Sequence, residues 1–291
     1  FVKFFKFMII WLASYPKSGN TWIRSFLTTI MYSADGKNEF KHLNKIKQFP
    51  ALTHFKKYIS DYKNVDQLSK SWIAAQQTIN IDNKVRLFKT HHVNCKIGND
   101  VFTDNNNTLG VIHIVRDPRN VVTSIKNHYS LPDIEKAKNF IFDENMWIKR
   151  PQKTTGTEDD EIVPTLISSW KTNYLSWKNK SKNYLLIRYE DLLNNPHETF
   201  PKVTKFISNL MNIDIEQRKI EEAIVSNSFE SLQKLEEKGM FEEYNHRVDK
   251  KKGFKFFNLG PKNTWQNILD PKISNEISER FSKEMKELNY I

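Results

Sequence analysis

The residues of this chain that could do chemistry begin with a short polar segment after the first apolar run. Residues 8–13 are apolar and predict a buried strand, and the segment Y-P-K-S-G-N-T-W follows from Tyr15 to Trp22. A helix is expected to begin near Asn20, so its first backbone N–H groups would point into the loop. With Gly19, two hydroxyls and the charge of Lys17, these groups favour a bound phosphate. The segment matches neither G-x-x-x-x-G-K-[ST] nor G-x-G-x-x-G, and an ordinary strand-to-helix turn is the alternative interpretation.

A second group of candidate anion ligands follows another apolar run, residues 109–115. Arg116 comes directly after that run, and Pro118 is expected to open a helix that carries Ser124. Ligands of open α/β sheets bind at the carboxyl ends of strands, and the fork of an arginine suits phosphate. Ser124 lies about two helical turns later, so it can face the same ligand if the helix passes beside it. The alternative is a surface arginine paired with Asp117.

A third candidate group ends the apolar run of residues 85–89 and consists of Lys89, Thr90, His91 and His92. A histidine at a strand end can act as a general base near neutral pH. Two adjacent histidines usually point apart, so at most one of them would serve. The residues alone leave open whether His91 or His92 has a chemical role or a structural one.

The overall charge favours an anionic partner of some kind. The 291 residues include 45 Lys and Arg against 34 Asp and Glu, which gives a net charge of +11. Nucleic acid, an acidic membrane surface and a polyphosphorylated small molecule all fit that balance. The single Cys95 excludes an intrachain disulfide. No apolar run approaches the roughly 20 residues that span a bilayer, and an aromatic content of 13% argues against a disordered chain.

Strand and helix patterns alternate along the chain, which predicts an α/β fold with a mainly parallel sheet flanked by helices, similar to P-loop proteins. Four apolar runs predict buried strands at residues 8–13, 85–89, 109–115 and 184–187. Helices are predicted at residues 20–32, 65–80, 118–128, 165–178, 196–210 and 271–288. Segments 131–164 and 239–263 lack periodicity and are expected to be long loops. We expect one domain over residues 8–291, with Met8 as a natural start and residues 1–7 upstream of it.

The order and spacing of these motifs resemble the cytosolic-type sulfotransferases, which use 3′-phosphoadenosine 5′-phosphosulfate (PAPS). The loop from Tyr15 to Trp22 resembles their Y-P-K-S-G-T-T-W segment, with Asn20 in place of the first threonine. Arg116 and Ser124 are eight residues apart, like the family's arginine and serine that grip the 3′-phosphate. The K-T-H segment that ends at His91 matches the family's catalytic segment. The resemblance extends over residues 8–288.

The resemblance implies a role for each residue of these motifs. Lys17 would contact the bridging or sulfuryl oxygens, and Trp22 would stack on the adenine. His91, rather than His92, would remove the acceptor's proton in an in-line displacement at sulfur. Lys17 and Lys89 would neutralise the charge that develops. The 5′-phosphate would be bound by Ser18, Gly19, Asn20 and Thr21, and the 3′-phosphate by Arg116 and Ser124.

Three looser correspondences complete the resemblance. Tyr189, in an R-Y-E-D-L segment, would lie near the adenine or the 3′-phosphate, and Phe229 would pack on the adenine. The family's R-K-G-x-x-G-x-W motif, which binds the 3′-phosphate, corresponds to N-L-G-P-K-N-T-W here. Gly260 is retained, but Asn258 and Leu259 replace the arginine and lysine, and Asn263 replaces the second glycine. Lys255, Lys262 or the run 250–252 are candidates for the missing charge.

The expected function is therefore transfer of a sulfuryl group from PAPS to a hydroxyl or amine of a small-molecule acceptor, in the cytoplasm, with PAP as the product. No metal is implied, and the acidic run 158–161 is interpreted as a solvated loop. The rival hypotheses are a P-loop nucleotide kinase or NTPase, a non-enzymatic nucleic-acid-binding protein, and a PAPS-binding fold that has lost catalysis. The sequence does not identify the acceptor or the oligomeric state.

Overall fold

A five-stranded parallel sheet forms the centre of the protein, for which the computed structural model describes residues 8–82, 84–149, 163–241 and 255–291. The strands of these residues are β1 (Ile9–Ser14), β2 (Lys47–Gln48), β3 (Arg86–Thr90), β4 (Lys96–Ile97), β5 (Asp100–Val101), β6 (Thr108–Val115), β7 (Trp147–Ile148), β8 (Thr165–Leu166) and β9 (Tyr184–Arg188). The sheet has the order β2-β3-β1-β6-β9, and each neighbouring pair is parallel. Two small antiparallel pairs, β4 with β5 and β7 with β8, lie outside it.

Helices cover the sheet and account for most of the remaining described structure. They are α1 (Asn20–Tyr32), α2 (Val65–Ile79), α3 (Pro118–His128), α4 (Ile134–Phe142), α5 (Trp170–Trp177), α6 (Tyr189–Asn194), α7 (Pro196–Met211), α8 (Gln217–Ser226), α9 (Phe229–Glu237), α10 (Trp265–Ile268), α11 (Pro271–Arg280) and α12 (Ser282–Glu287). Short 3₁₀ helices occur at Phe40–Lys45, Leu52–His54 and Gly260–Lys262. No helix of the described residues is both long and apolar enough to cross a bilayer.

The central strand β1 is buried on both faces, which explains its continuous apolar run. Successive side chains of a strand point to opposite faces of the sheet. Ile10 and Leu12 accordingly pack in a cluster with α1, α7 and α8, while Trp11 and Ala13 pack on the other side with α2. The predicted α/β fold with a mainly parallel sheet is confirmed. All four predicted strands are present, each within one residue of its expected ends.

The predicted helix 165–178 is wrong over its first five residues. Thr165 and Leu166 pair with β7 instead. Ser168 then takes a left-handed backbone conformation with φ 57°, which a continuing helix does not allow. The helix begins after Ser169, whose hydroxyl accepts a hydrogen bond from the Thr172 amide at 3.1 Å. Tertiary pairing of the strand has therefore overridden the local apolar periodicity.

Two further predictions are corrected by the structure. The single helix 271–288 is two helices, because α11 ends at Arg280 and α12 begins at Ser282, with the buried Phe281 between them. The segment 131–164, expected to be a loop, contains β7 and α4, whose first turn is capped by Asp133 through the Lys136 amide at 2.7 Å. The acidic run 158–161 and the lysine run 250–252 lie outside the described residues. Residues 1–7, expected upstream of the domain, do so as well.

Two histidines are enclosed by the core and can take up a proton only at a cost. His92 stacks on Phe102 with ring centroids 4.4 Å apart, and its Nδ1–H donates to the Val93 carbonyl at 2.6 Å. His113 accepts a hydrogen bond at Nδ1 from the Tyr184 hydroxyl at 2.8 Å. Burial lowers the pKa of His92 to about 4 and that of His113 to about 3.

The free energy of unfolding is expected to fall as the pH is lowered from 7 towards 5. Below pH 6.5 the unfolded chain binds protons at these histidines that the folded protein does not, which costs up to about 1.4 kcal/mol per pH unit for each. Urea denaturation at pH 7.5, 6.5 and 5.5 measures the slope. His92→Leu should flatten it, whereas the exposed His197→Gln on α7 should not. An equal slope in all three proteins would contradict this assignment.

Candidate active site

The loop between β1 and α1 is bent by two residues with left-handed backbone conformation. Lys17 has φ 67° and Gly19 has φ 101°. A Cβ atom on Gly19 would lie 2.7 Å from the ring of Tyr189, so a larger residue fits neither the backbone nor the space. The Ser18 amide donates to the Tyr15 carbonyl at 3.3 Å, which closes the turn. The predicted strand–loop–helix arrangement is present.

Hydrogen-bond donors of this loop are available to an anion. No side chain caps the first turn of α1. The Trp22 amide donates to the Gly19 carbonyl at 3.0 Å. The amides of Asn20 and Thr21, however, precede any carbonyl of the helix that could accept from them. Among the described residues, the buried Ser18 Oγ and the buried Arg116 Nε make no hydrogen bond. Buried polar atoms are nearly always paired, and bound anionic groups would pair these two atoms. Thr21 lies half-buried on the same first turn. The residues present therefore fit an anionic group of a nucleotide.

Arg116 contacts both segments in which the sequence predicts anion ligands. Its Nη1 donates to the Lys17 carbonyl at 3.0 Å and to Ser124 Oγ at 3.2 Å. Its guanidinium carbon lies 4.1 Å from the ring centroid of Tyr189. Arg116 stands at the end of β6, which pairs directly with β1. The first loop and the Arg116–Ser124 pair are thus adjacent in space.

The alternative of a surface arginine paired with Asp117 is excluded by the same geometry. Arg116 is 5% exposed. Asp117 instead forms a two-point ion pair with Arg119, with Nε–Oδ1 at 3.0 Å and Nη2–Oδ2 at 2.7 Å. The guanidinium of Arg119 lies 3.9 Å from the ring of Trp265. Arg119 therefore takes the structural role, and Arg116 remains directed at the loop.

His91 lies beside the end of β1 with a defined hydrogen-bonding pattern. Its Nδ1 is 2.8 Å from the Ser14 carbonyl and 3.2 Å from the Ser14 hydroxyl. A carbonyl oxygen only accepts, so Nδ1 carries the proton and Nε2 keeps its lone pair. The backbone carbonyl of His91 accepts from Asn173 Nδ2 at 2.9 Å. Burial, and next the charge of Lys89, lowers the pKa of His91 to about 4.

His92 points away from this site. Its ring lies among Trp72, Phe102 and Trp147. Adjacent residues of an extended segment face opposite sides, which separates the two histidines. Of the pair, His91 is therefore the one that the structure places beside the loop.

The two candidate lysines reach the site from different sides. Lys89 lies near the end of β3 opposite Leu12 of β1 and is 9% exposed. The Nζ of Lys17 lies 3.9 Å from the ring centroid of Phe256. The carboxylate of Glu236 accepts from the backbone amides of Phe256 and Phe257 and holds that segment over the loop. Burial raises the pKa of Glu236 despite these hydrogen bonds.

The aromatic residues expected around the adenine form one cluster. Trp22 lies within 6.5 Å of the rings of both Tyr189 and Phe229, measured between centroids. Its Nε1 donates to the Asn227 carbonyl at 2.6 Å. A Cβ on Gly260 would lie 2.2 Å from Phe229, and Gly260 has φ 49°, so the segment approaches this ring closely. The structure thus brings together four residues from distant parts of the chain.

Asn20 does not direct its side chain into the loop. Its Nδ2 donates to the Leu12 carbonyl at 2.9 Å and to Ser14 Oγ at 3.2 Å. The side chain therefore supports the end of β1 beside His91. Its backbone amide remains in the first turn of α1.

Sequence reasoning missed one residue near the site, and it named a second without its contact. Arg24 is 1% exposed on α1, one helical turn after Asn20, and its charge contributes to the lowered pKa of His91. Its signal was a charge within an otherwise apolar helix. Asn263 lies against α3 and contacts Ser124, with Nδ2 to Oγ at 3.3 Å. The sequence placed Asn263 in the segment that resembles the 3′-phosphate motif, but no local pattern indicated its contact with Ser124.

Two lysines of the described residues were candidates to replace the arginine and lysine that the C-terminal motif lacks here, and neither is placed at Ser124. Lys255 pairs with Glu237 at 2.6 Å, and Lys262 is exposed. The described residues contain no cluster of three or more His, Cys, Asp or Glu that could hold a metal ion. Arg116 is therefore the cation that the structure places directly against Ser124.

Comparison with known proteins identifies the family. The model of the sulfotransferase domain matches residues 9–289. "Cytosolic sulfotransferase 13" of Arabidopsis thaliana is 22% identical over 278 residues, which cover 94% of this chain and 76% of that protein.

Two solved structures share the fold with this chain. A mouse sulfotransferase, SULT7A1, complexed with PAP has a TM-score of 0.57 and 19% identity, with 96% of this chain and 84% of that one covered. Retinol dehydratase in complex with androsterone and inactive cofactor PAP has a TM-score of 0.57 and 12% identity, with coverages of 96% and 80%. With a family model that matches almost the entire sequence, this chain belongs to the sulfotransferase domain family and is a PAPS-dependent transferase.

Proposed function

We propose that this protein transfers a sulfuryl group from PAPS to a hydroxyl or amine of a small-molecule acceptor, with His91 as the general base. The observation that carries the proposal is the double contact of Arg116 Nη1, at 3.0 Å from the Lys17 carbonyl and 3.2 Å from Ser124 Oγ. Two adjoining anion pockets suit one nucleotide phosphorylated at two positions. A site for ATP alone would not need the second pocket, so the contact favours PAPS over a kinase substrate.

The residues of the site have different roles in the proposed reaction: nucleotide binding, charge stabilisation and proton transfer. PAPS supplies the activated sulfuryl group. Ser18 and the first amides of α1 bind the 5′-phosphate, and Arg116 with Ser124 binds the 3′-phosphate. Lys17 and Lys89 place positive charge where negative charge develops on the leaving phosphate and the sulfuryl oxygens. His91 accepts the proton of the acceptor at Nε2, the nitrogen left free by the Nδ1–H bond to the Ser14 carbonyl.

The same proposal includes the class of acceptor, the cellular location and the domain organisation. The complex of retinol dehydratase contains androsterone, and we extend a small-molecule acceptor to this chain. Its relatives from Arabidopsis are called cytosolic, which supports a cytoplasmic protein. The family match over residues 9–289 supports one domain over residues 8–291. Family membership also favours a sulfotransferase over the nucleotide kinase and over a non-enzymatic nucleic-acid-binding protein.

Replacement of the proposed base should abolish most of the transfer. His91→Asn removes the Nε2 base, so kcat is expected to fall by about 10²- to 10⁴-fold while the Kd for PAP stays unchanged. Isotope-labelled PAPS, incubated with a mixture of small alcohols, phenols and amines, reports transfer, and mass spectrometry identifies the product. His197→Asn on the exposed face of α7 is the matched control. A folded His91→Asn protein that transfers at the parent rate would overturn the role of His91.

Binding of PAP should stabilise the folded protein through both pockets. PAP at 100 times its Kd is expected to add about 2.7 kcal/mol to the free energy of unfolding. Arg116→Gln should lose most of this gain, because the neutral amide cannot replace the charged fork. Thermal and urea unfolding with and without PAP measure the effect, and the unliganded variant controls for its own stability. Stabilisation by ATP with Mg²⁺, but not by PAP, would instead indicate a kinase-type site.

Loss of the Lys89 charge should move the acid limb of the pH–rate profile to higher pH. The charge of Lys89 lowers the pKa of His91, so Lys89→Met favours the imidazolium and raises that pKa. We expect kcat/KM for the acceptor, at saturating PAPS, to fall at a higher pH than in the parent. Rates between pH 4.5 and 8 measure the shift, with the exposed Lys205→Met as control. An acid limb that stays in place, or moves to lower pH, would rule out this coupling.

A further inference from the structure

We propose that Asn263 is a positioning residue that turns the Ser124 hydroxyl into a hydrogen-bond donor for the 3′-phosphate. The inference rests on the proposed function and deepens it at the Arg116–Ser124 pocket. It concerns a position where the family's motif has glycine and this chain has a side chain. Asn263 would thus contribute to nucleotide specificity without touching the nucleotide.

The side chain of Asn263 is held in one orientation by α3. Asn263 is 6% exposed. The Thr123 hydroxyl donates to its Oδ1 at 2.7 Å, and its Nδ2 donates to the Asn120 carbonyl at 2.9 Å. A backbone carbonyl only accepts, so the amide nitrogen must face Asn120. The amide nitrogen is then also the atom that faces Ser124.

The hydroxyl oxygen of Ser124 receives two hydrogen bonds. Arg116 Nη1 lies 3.2 Å from Oγ, and Asn263 Nδ2 lies 3.3 Å from it. Neither nitrogen can accept a hydrogen bond, so both are donors. A hydroxyl has two lone pairs and one proton. Both lone pairs of Ser124 are engaged, and its proton must go to a separate acceptor.

The usual acceptor for that proton is occupied. A serine within a helix commonly donates to the carbonyl four residues earlier, which for Ser124 is the carbonyl of Asn120. That carbonyl accepts Nδ2 of Asn263. Within the described residues, Ser124 Oγ makes no hydrogen bond other than those from its two donors. Ser124 is only partly buried, so a ligand oxygen can reach the proton.

An anion satisfies this arrangement, and the 3′-phosphate of the nucleotide is the group that the pocket would take. Asn258 and Leu259 bring no charge to the segment that precedes Asn263. The neutral donor Ser124 therefore carries a larger share of the binding. Its orientation by Asn263 should affect ligands with a 3′-phosphate and leave the 5′ end of the nucleotide unaffected.

The test compares the Kd of PAP with that of adenosine 5′-phosphate, which lacks the 3′-phosphate, by calorimetry. Asn263→Ala should weaken PAP by about tenfold, as expected for loss of a donor to a charged group, and change adenosine 5′-phosphate less than twofold. Asn263→Asp, which keeps the size and the Thr123 contact but cannot donate, should weaken PAP at least as much. Asn267→Ala, an exposed asparagine on α10, should change neither Kd.

A double-mutant cycle separates positioning from general loosening of the segment. If Asn263 acts through Ser124, Asn263→Ala should have less than a twofold effect on PAP in a Ser124→Ala background. Equal weakening of both nucleotides, an unchanged Kd for PAP, or a tenfold loss that persists without Ser124 would overturn the inference alone. A parent protein that binds PAP no more tightly than adenosine 5′-phosphate would contradict the proposed function and the inference together.

Discussion

The site depends on one buried guanidinium at the carboxyl end of the sheet. In the described residues, Arg116 donates its hydrogen bonds to neutral oxygens, the Lys17 carbonyl and the Ser124 hydroxyl, and it packs on the ring of Tyr189. A buried charge is costly unless an opposite charge or enough hydrogen bonds compensate it. The partly buried carboxyl of Glu190 is close enough for its charge to interact with that of Arg116. Among the described residues, the Nε of Arg116 still has no hydrogen-bond partner. An oxygen of an anionic ligand would pair that atom, so we expect ligand binding to stabilise this part of the fold.

The surroundings of His91 determine its proton affinity, and burial is the largest influence on its pKa. Lys89, Arg24 and Lys17 all act to lower the pKa of its imidazole, in addition to burial. The ring is therefore neutral over a wide range of pH, and the Ser14 carbonyl determines which nitrogen is basic. An anionic donor in the pocket would oppose these charges and raise the pKa towards the physiological range. Under the proposed role of His91, binding of the donor would make the base stronger through charge rather than through direct contact.

Most of the fold could be predicted because its signals are local. The apolar runs of β1, β3, β6 and β9 mark strands buried on both faces, and prolines mark the starts of α3, α7 and α11. One failure has a non-local cause. Residues Thr165 and Leu166 fit a helical pattern but pair with β7. Apolar periodicity indicates which face of a helix or strand is buried. It does not indicate which other helix or strand will pack or pair with it.

The sequence by itself determined the kinds of residue at the strand ends: the loop of Lys17 and Gly19, the histidine pair, and Arg116 with Ser124. It also indicated their common edge, because parallel strands end on one side of a sheet. Only the tertiary structure decided the neighbours, with β3 and β6 on either side of β1, and the directions of the side chains. Asn20 turns inward to Ser14, and Asn263 reaches Ser124 across 139 residues of sequence. The direction of each side chain depends on which hydrogen-bond donors and acceptors lie within about 3 Å of it in the folded protein. Packing determines those neighbours, and no local pattern of residues contains that information.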